Sequence, residues 1–290
     1  MLDIPAAFAA DFAGREGDAG RAWLAGLPAR GEEAMRRWSL APDGPSWHGF
    51  CSVVQPVRRA DGTPAVLKIG WPHPEAEHEA DALRLWDGDG AVHLLDVDGW
   101  TLLLERLDAD TDLMAVPIDK AVEIVAGLIR RLDRPAPQGM RHLRDTAERL
   151  AVELPADNAE LLAETGDAID ADLVDRAVAY CRELGPASAS RLVNEDLHYQ
   201  NVLAGGREPW LVIDPKPLAG DPEFGLIPLL WNRHTEGDLS DRLDAVVELT
   251  GLDRAKARKW TFVRAVDAWL WSDDDDPAGQ GAEAIINAMS

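Results

Sequence analysis

Apolar and polar positions divide the chain into two stretches of different rhythm. In the first, short runs rich in β-branched residues sit between turn signals. Gly49–Val57 (GFCSVVQPV) and Ala65–Ile69 (AVLKI) flank Arg58–Arg59 and the turn Asp61–Gly62, and they predict a hairpin. Pro74 opens a segment rich in Glu, Ala and Leu, which predicts a helix over Glu75–Trp86 ended by Asp87–Gly90. Val92–Asp96 and Trp100–Glu105 predict two more strands, parted by Asp98–Gly99. Beyond Leu107 the apolar spacing changes to three and four residues. It predicts helices over Asp119–Leu132, Arg141–Val152, Ala159–Thr165, Asp170–Leu184, Leu239–Leu249, Arg254–Trp271 and Ala282–Met289. One β segment, Asn201–Asp214, interrupts them. The expected class is α+β, with a small β-rich lobe over residues 1–107, a larger mainly helical lobe over 108–290, and a join near Glu105–Asp108.

Composition narrows the function more than the fold. Of the 290 residues 46% are apolar and 28% charged, the balance of a soluble globular protein. The best apolar run, Val122–Ile129, is far short of the roughly 18 residues a membrane span needs. The N-terminal MLDIPAAFAADF carries acids and lacks the basic start of a signal peptide. Cys51 and Cys181 have no metal or redox spacing, and a cytoplasmic location is expected. A net charge of −23 disfavours nucleic acid and anionic membranes as partners and favours a cationic small molecule. The same charge also serves solubility.

Leu192–Asp214 (LVNEDLHYQNVLAGGREPWLVID) carries the densest chemistry. Asp196 and Asn201 form a D-x-x-x-x-N pattern, and Gly205–Gly206 with Pro209 mark a turn between two strand-like runs. Folding about that turn brings Asn201 and Asp214 to one end of a hairpin, with Asp196 just before it. Asn201 and Asp214 offer oxygen ligands of the kind Mg²⁺ prefers. Asp196 is placed to orient a substrate hydroxyl and accept its proton. Lys68 lies in AVLKI between apolar neighbours and calls for an anionic partner. Glu79, in the helix that follows, is the first choice. Gly49–Ser52 precede the first strand and are candidates for covering phosphates with backbone N–H groups. No Walker A sequence occurs. His198 reads as a structural hydrogen-bonding residue, and Trp231, Trp260, Trp269 and Trp271 as packing residues. Asp273–Asp276 reads as a solvated loop or as a contact for an amino or guanidino cation.

The segments VRRADGTPAVLKIG, HEADALRLW, LLLERL, DLHYQNVLAGGREPWLVIDPKPLAGDP and PLLWNR resemble the aminoglycoside/hydroxyurea phosphotransferase family, whose best-known members are streptomycin 6-phosphotransferases. The resemblance implies a protein-kinase-like bilobal fold, ATP and Mg²⁺, and transfer of the γ-phosphate to a hydroxyl of an aminoglycoside. It implies that Lys68 binds phosphate and pairs with Glu79, and that Glu105–Leu107 form a hinge touching adenine. By the same resemblance Asp196 is the base, while Asn201 and Asp214 hold metal. Two departures stand out: Asn194–Glu195–Asp196 replaces the common H-G-D, and Gly225 stands where relatives place a bracing aspartate. A different small acceptor, hydroxyurea-like compounds among them, is one alternative; a catalytically weak nucleotide-binding regulatory protein is another. The absence of H-R-D, D-F-G and A-P-E sets the chain apart from protein kinases.

Overall fold

A computed structural model of the chain describes residues 2, 4–166, 168–271 and 277–290. The acidic run Asp273–Asp276 lies outside the described residues. The fold divides into two compact units, Met1–Asp108 with Gly205–Arg207, and Ala109–Ala204 with Glu208–Ser290. No helix among the described residues is long and apolar enough to cross a membrane.

The first unit opens with helix α1 (Ala6–Arg37), which breaks direction at Gly17, where φ is +60° and ψ −138°. Only a residue without a Cβ takes that conformation cheaply, so the glycine sets the kink. Strands β1 (Ala41–Pro42), β2 (Trp47–His48), β3 (Ser52–Arg58), β4 (Pro64–Gly70), β5 (Leu94–Asp98) and β6 (Thr101–Glu105) form one antiparallel sheet. Its order is β1-β3-β4-β6-β5, with β2 also on β3. The expected hairpin is β3–β4, with Ser52 opposite Gly70 and Arg58 opposite Pro64.

Strand periodicity then decides which face each β4 residue serves. Ala65, Leu67 and Ile69 join Phe8, Phe12, Trp23 and Leu27 of α1 in one buried cluster. Each large side chain so buried contributes on the order of 1.5–3 kcal/mol. Lys68, between Leu67 and Ile69, must therefore project from the opposite face. Helix α2 (Glu79–Trp86) buries Glu79, Ala82, Leu83 and Trp86, a stripe at i, i+3, i+4 and i+7. The helix starts four residues later than its composition predicts, because Pro74–His78 form turns instead.

Strand β7 (Asp108–Asp112) leads into the second unit, which continues through α3 (Ile118–Leu132), α4 (Leu143–Thr165) and α5 (Ala171–Leu184). Strands β8 (Arg191–Asn194), β9 (Val202–Ala204), β10 (Trp210–Val212) and β11 (Pro217–Gly220) follow, then α6 (Pro228–Trp231), α7 (Leu239–Thr250), α8 (Arg254–Trp271) and α9 (Pro277–Met289). The two helices expected over Arg141–Val152 and Ala159–Thr165 are one, with Pro155 inside it. The strands form two small sheets, β10-β9-β7 and β11-β8. Trp260 and Phe262 of α8 are fully buried among the helices.

Candidate active site

Two short ladders frame the segment that carries Asp196 and Asn201. In one, β8 pairs with β11 and sets Asn194 opposite Pro217; in the other, β9 pairs with β10 and sets Val202 opposite Val212. The stretches 195–201 and 213–216 are thereby held side by side between the ladder ends. The Ile213 amide donates to the Asn201 carbonyl at 2.9 Å, which puts Asp214 one residue beyond Asn201's partner. Glu195 donates its amide to the Lys216 carbonyl at 3.0 Å. So Asp196, Asn201 and Asp214 gather at the same end, as the hairpin reading required.

Each of the three is individually constrained. Asn201 Nδ2 donates to the Asp196 carbonyl at 2.9 Å, which orients the amide and leaves its oxygen for another partner. The Asp196 amide donates to Asn194 Oδ1 at 3.1 Å, and the His198 amide donates to the Asp196 carbonyl at 3.0 Å. The Asp196 carboxylate keeps 23% of its surface exposed and has Lys216 Nζ at 3.4 Å from Oδ2. Asp214 sits at φ +48°, a left-handed conformation uncommon outside glycine. Strain of this sort persists only where the surroundings impose it, and it concentrates at functional positions.

This donor set suits Mg²⁺. Among the described residues no group of three or more His, Cys, Asp or Glu side chains forms a protein cage. Mg²⁺ needs none, because it takes one or two protein oxygens and completes its shell with phosphate and water. One carboxylate and one oriented amide oxygen match that requirement.

In the first unit the Lys68 ammonium donates to both Glu79 oxygens at 2.7 Å, with both side chains buried. Glu79 leads the same α2 stripe that Leu83 and Trp86 anchor, which is why it faces β4. The other expected residues are placed differently. The Gly49 amide donates to the Ser52 carbonyl at 3.0 Å, closing a tight turn, so that N–H is spent inside the loop and does not point outward for phosphate. Ser52 is buried at the start of β3. Glu105 closes β6, and its Oε2 accepts from the His93 amide and from Arg207, each at 3.1 Å. Its side chain is a structural clasp. Leu107 is half-buried, just before the unit boundary.

Sequence reasoning missed the residues that hold the segment around Asp196. Asn194 Oδ1 accepts from the amides of both Asp196 and Lys216. Arg141 pairs with the buried Glu195 carboxylate. From α8, Arg264 donates to the carbonyls of Glu195 at 2.9 Å and Phe224 at 3.2 Å, with its guanidinium over the Phe224 and Trp231 rings. Asp221, 1% exposed, takes the Ala189 amide, the Lys256 ammonium and the Trp260 indole N–H. Arg141 and Arg264 lie too far away in sequence to be read.

Gly225 now has a physical reason. A Cβ there would lie 2.6 Å from the Asn194 carbonyl oxygen and 3.0 Å from Val193 Cγ1. The position is closed to any side chain, and Arg264 supplies the bracing contact instead. Gly225→Ala is expected to destabilise the protein by roughly 1–3 kcal/mol. By displacing Asn194 it is also expected to cut turnover by on the order of tenfold or more. Denaturant midpoints and kcat test this together; wild-type values for both would contradict it. The His198 imidazole Nδ1 is buried with no hydrogen-bond partner. Burial pushes its pKa below the ordinary histidine value, against the opposing pull of Asp196 and Asp214.

Residues 37–276 match the family described as aminoglycoside/hydroxyurea antibiotic resistance kinase. The chain belongs to that family. A streptomycin 6-kinase of Streptomyces glaucescens is 42% identical, over 100% of this chain and 97% of its own length. A hydroxyurea phosphotransferase of Kitasatospora aureofaciens is 44% identical, over 95% of this chain and 82% of its own length. Among solved structures, the APH(2'')-IIa ternary complex with streptomycin and ATP aligns with a TM-score of 0.56 at 10% identity, over 88% of this chain and 94% of that one. The choline kinase LicA of Streptococcus pneumoniae aligns with a TM-score of 0.56 at 11% identity, over 90% and 99%. This antibiotic resistance kinase therefore has the protein-kinase-like phosphotransferase fold, an antiparallel sheet unit and a mainly helical unit, and it acts on a hydroxyl group.

Proposed function

We propose that this kinase transfers the γ-phosphoryl group of ATP to a hydroxyl of a streptomycin-type aminoglycoside. The convergence of Asp196, Asn201 and Asp214, with Asp214 held in a left-handed conformation, carries the reading. Asp196 accepts the proton of the acceptor hydroxyl. Asn201 Oδ1 and the Asp214 carboxylate would hold Mg²⁺, which when bound would neutralise charge on the phosphates. Lys68 engages phosphate, and Glu79 fixes its ammonium. Glu105–Leu107 flank adenine through main-chain atoms, since the Glu105 carboxylate is already clasped. The acceptor class rests on streptomycin 6-kinase relatives at 42% identity and on the −23 charge, which draws a polycation. Cys51 and Cys181, which form no disulfide, and the use of ATP fit a cytoplasmic protein.

ADP release from Mg·ATP across streptomycin, other aminoglycosides, simple amino sugars and hydroxyurea tests the assignment. Strong stimulation by streptomycin is expected. Stimulation by hydroxyurea alone would move the acceptor to the second reading, which the 44% relative favours. ATP binding without stimulation by any of these would overturn both.

A further inference from the structure

We propose that Lys216 is a further catalytic residue of the phosphoryl transfer, its ammonium contacting the transferring group in the transition state. The inference rests on Asp196 being the base. Its starting point is the placement of Lys216 Nζ 3.4 Å from Asp196 Oδ2, with both side chains partly exposed, at 34% and 23%. The ammonium is carried on a four-carbon stem with three rotatable donors, which suits contact with an oxyanion.

The main chain around Lys216 is far less free. Pro215 and Pro217 flank it, fixing φ on both sides and removing two amides from the segment. Its own amide donates to Asn194 Oδ1 at 3.1 Å, and its carbonyl accepts from Glu195 at 3.0 Å. The same Asn194 oxygen accepts from the Asp196 amide at 3.1 Å. One buried side-chain oxygen thus ties the main chain of the base to the main chain of the lysine, and Gly225 keeps the space behind Asn194 clear. A lysine serving only as a solubilising surface charge needs none of this clamping.

Charge gives the arrangement its purpose. Asp196 and Asp214 are both anionic, and a nucleotide triphosphate brings more negative charge to the same loops. In the transfer the acceptor oxygen forms a bond to the γ-phosphorus, and its proton passes to the Asp196 carboxylate. The bond from the γ-phosphorus to the bridging oxygen breaks, and ADP leaves with that electron pair. The γ-phosphoryl oxygens carry charge as they pass beside the hydroxyl that Asp196 holds. Lys216 lies within reach of Asp196, keeps its proton throughout and neutralises that charge where it develops. It also keeps Asp196 oriented before the acceptor arrives.

Lys216→Met and Lys216→Arg, studied beside Asp196→Ala, test the assignment. In Lys216→Met, kcat with streptomycin, or with whichever panel compound stimulates the wild type, is expected to fall by about 10²–10³-fold. KM for ATP and the melting temperature should stay close to wild type. Lys216→Arg, keeping the charge, should recover at least about tenfold of that loss. Affinity for Mg·ADP with aluminium fluoride, which resembles the planar phosphoryl group, should fall in Lys216→Met while affinity for Mg·ADP alone holds. A kcat within a few-fold of wild type, a loss confined to ATP affinity, or a fall in melting temperature that tracks the fall in kcat would each overturn the role of Lys216. If Lys216→Met is unaffected while Asp196→Ala is dead, only this inference fails. If Asp196→Ala turns over normally, the reading of the base fails first.

Discussion

Asp196→Ala is expected to lower turnover by about 10³-fold or more, with ATP affinity nearly unchanged. A positioned general base contributes on the order of 10²–10⁴-fold, and in the proposed mechanism the same side chain also holds the acceptor hydroxyl in line. The substitution removes only a carboxylate that is partly exposed and not counted in the core. The bonds that shape the loop use the Asp196 main chain, its amide to Asn194 and its carbonyl to Asn201 and His198, and these survive in alanine. Steady-state kinetics with direct ATP titration separate the two effects. Wild-type turnover in Asp196→Ala would remove the assignment of the base, and lost ATP affinity would show that the loop had collapsed.

The second large effect concerns Lys68 and Glu79. The two residues are 7% and 4% exposed, so neither charge has water to fall back on. Lys68→Met leaves the Glu79 carboxylate buried without its cation, a change expected to cost about 3–5 kcal/mol of stability. ATP binding is expected to fall at the same time, because the ammonium proposed to engage phosphate is gone. The double variant Lys68→Met with Glu79→Leu separates the causes. It should regain most of the stability, since an apolar pair replaces a buried ion pair at little cost, and none of the ATP affinity. Urea midpoints and nucleotide titrations of the three proteins check this. Unchanged stability in Lys68→Met would mean that the pair is solvated in solution, and restored ATP affinity in the double variant would contradict the role of Lys68.

Lys68 illustrates why part of the site was readable. A charged residue inside AVLKI must leave the face that Leu67 and Ile69 bury, and period-two geometry says so without coordinates. Glu79 was readable for the parallel reason that it heads an apolar stripe of period 3.6. The turn of Gly205–Gly206 similarly announced the hairpin that carries Asn201 to the neighbourhood of Asp214. In each case the deciding interaction is local, or one helix or hairpin away.

Helix α1 was missed because its local signals point the wrong way. Gly14, Gly17, Gly20, Gly26 and Gly31, together with Pro28, depress helix propensity along its length. What stabilises it is tertiary, the burial of Phe8, Phe12, Trp23 and Leu27 against the sheet. Pro155 misled in the same manner, dividing on paper a helix that stays continuous in space. Strands β8 and β11 are four residues each and bear little alternation, so only their mutual pairing defines them.

The sequence by itself determined the α+β class, the gathering of Asp196, Asn201 and Asp214 about one hairpin, and the demand of Lys68 for an acid. These depend on backbone period and turn residues, which act within a few positions along the chain. Tertiary structure alone decided what holds the catalytic segment: Asn194 bridging two amides, Arg141 on Glu195, and Arg264 reaching in from α8. It also decided that Gly49 spends its amide within its own loop and that no side chain fits at Gly225. Those contacts join residues as much as 69 positions apart, and their formation depends on distances and unfilled space that no residue's own chemistry specifies.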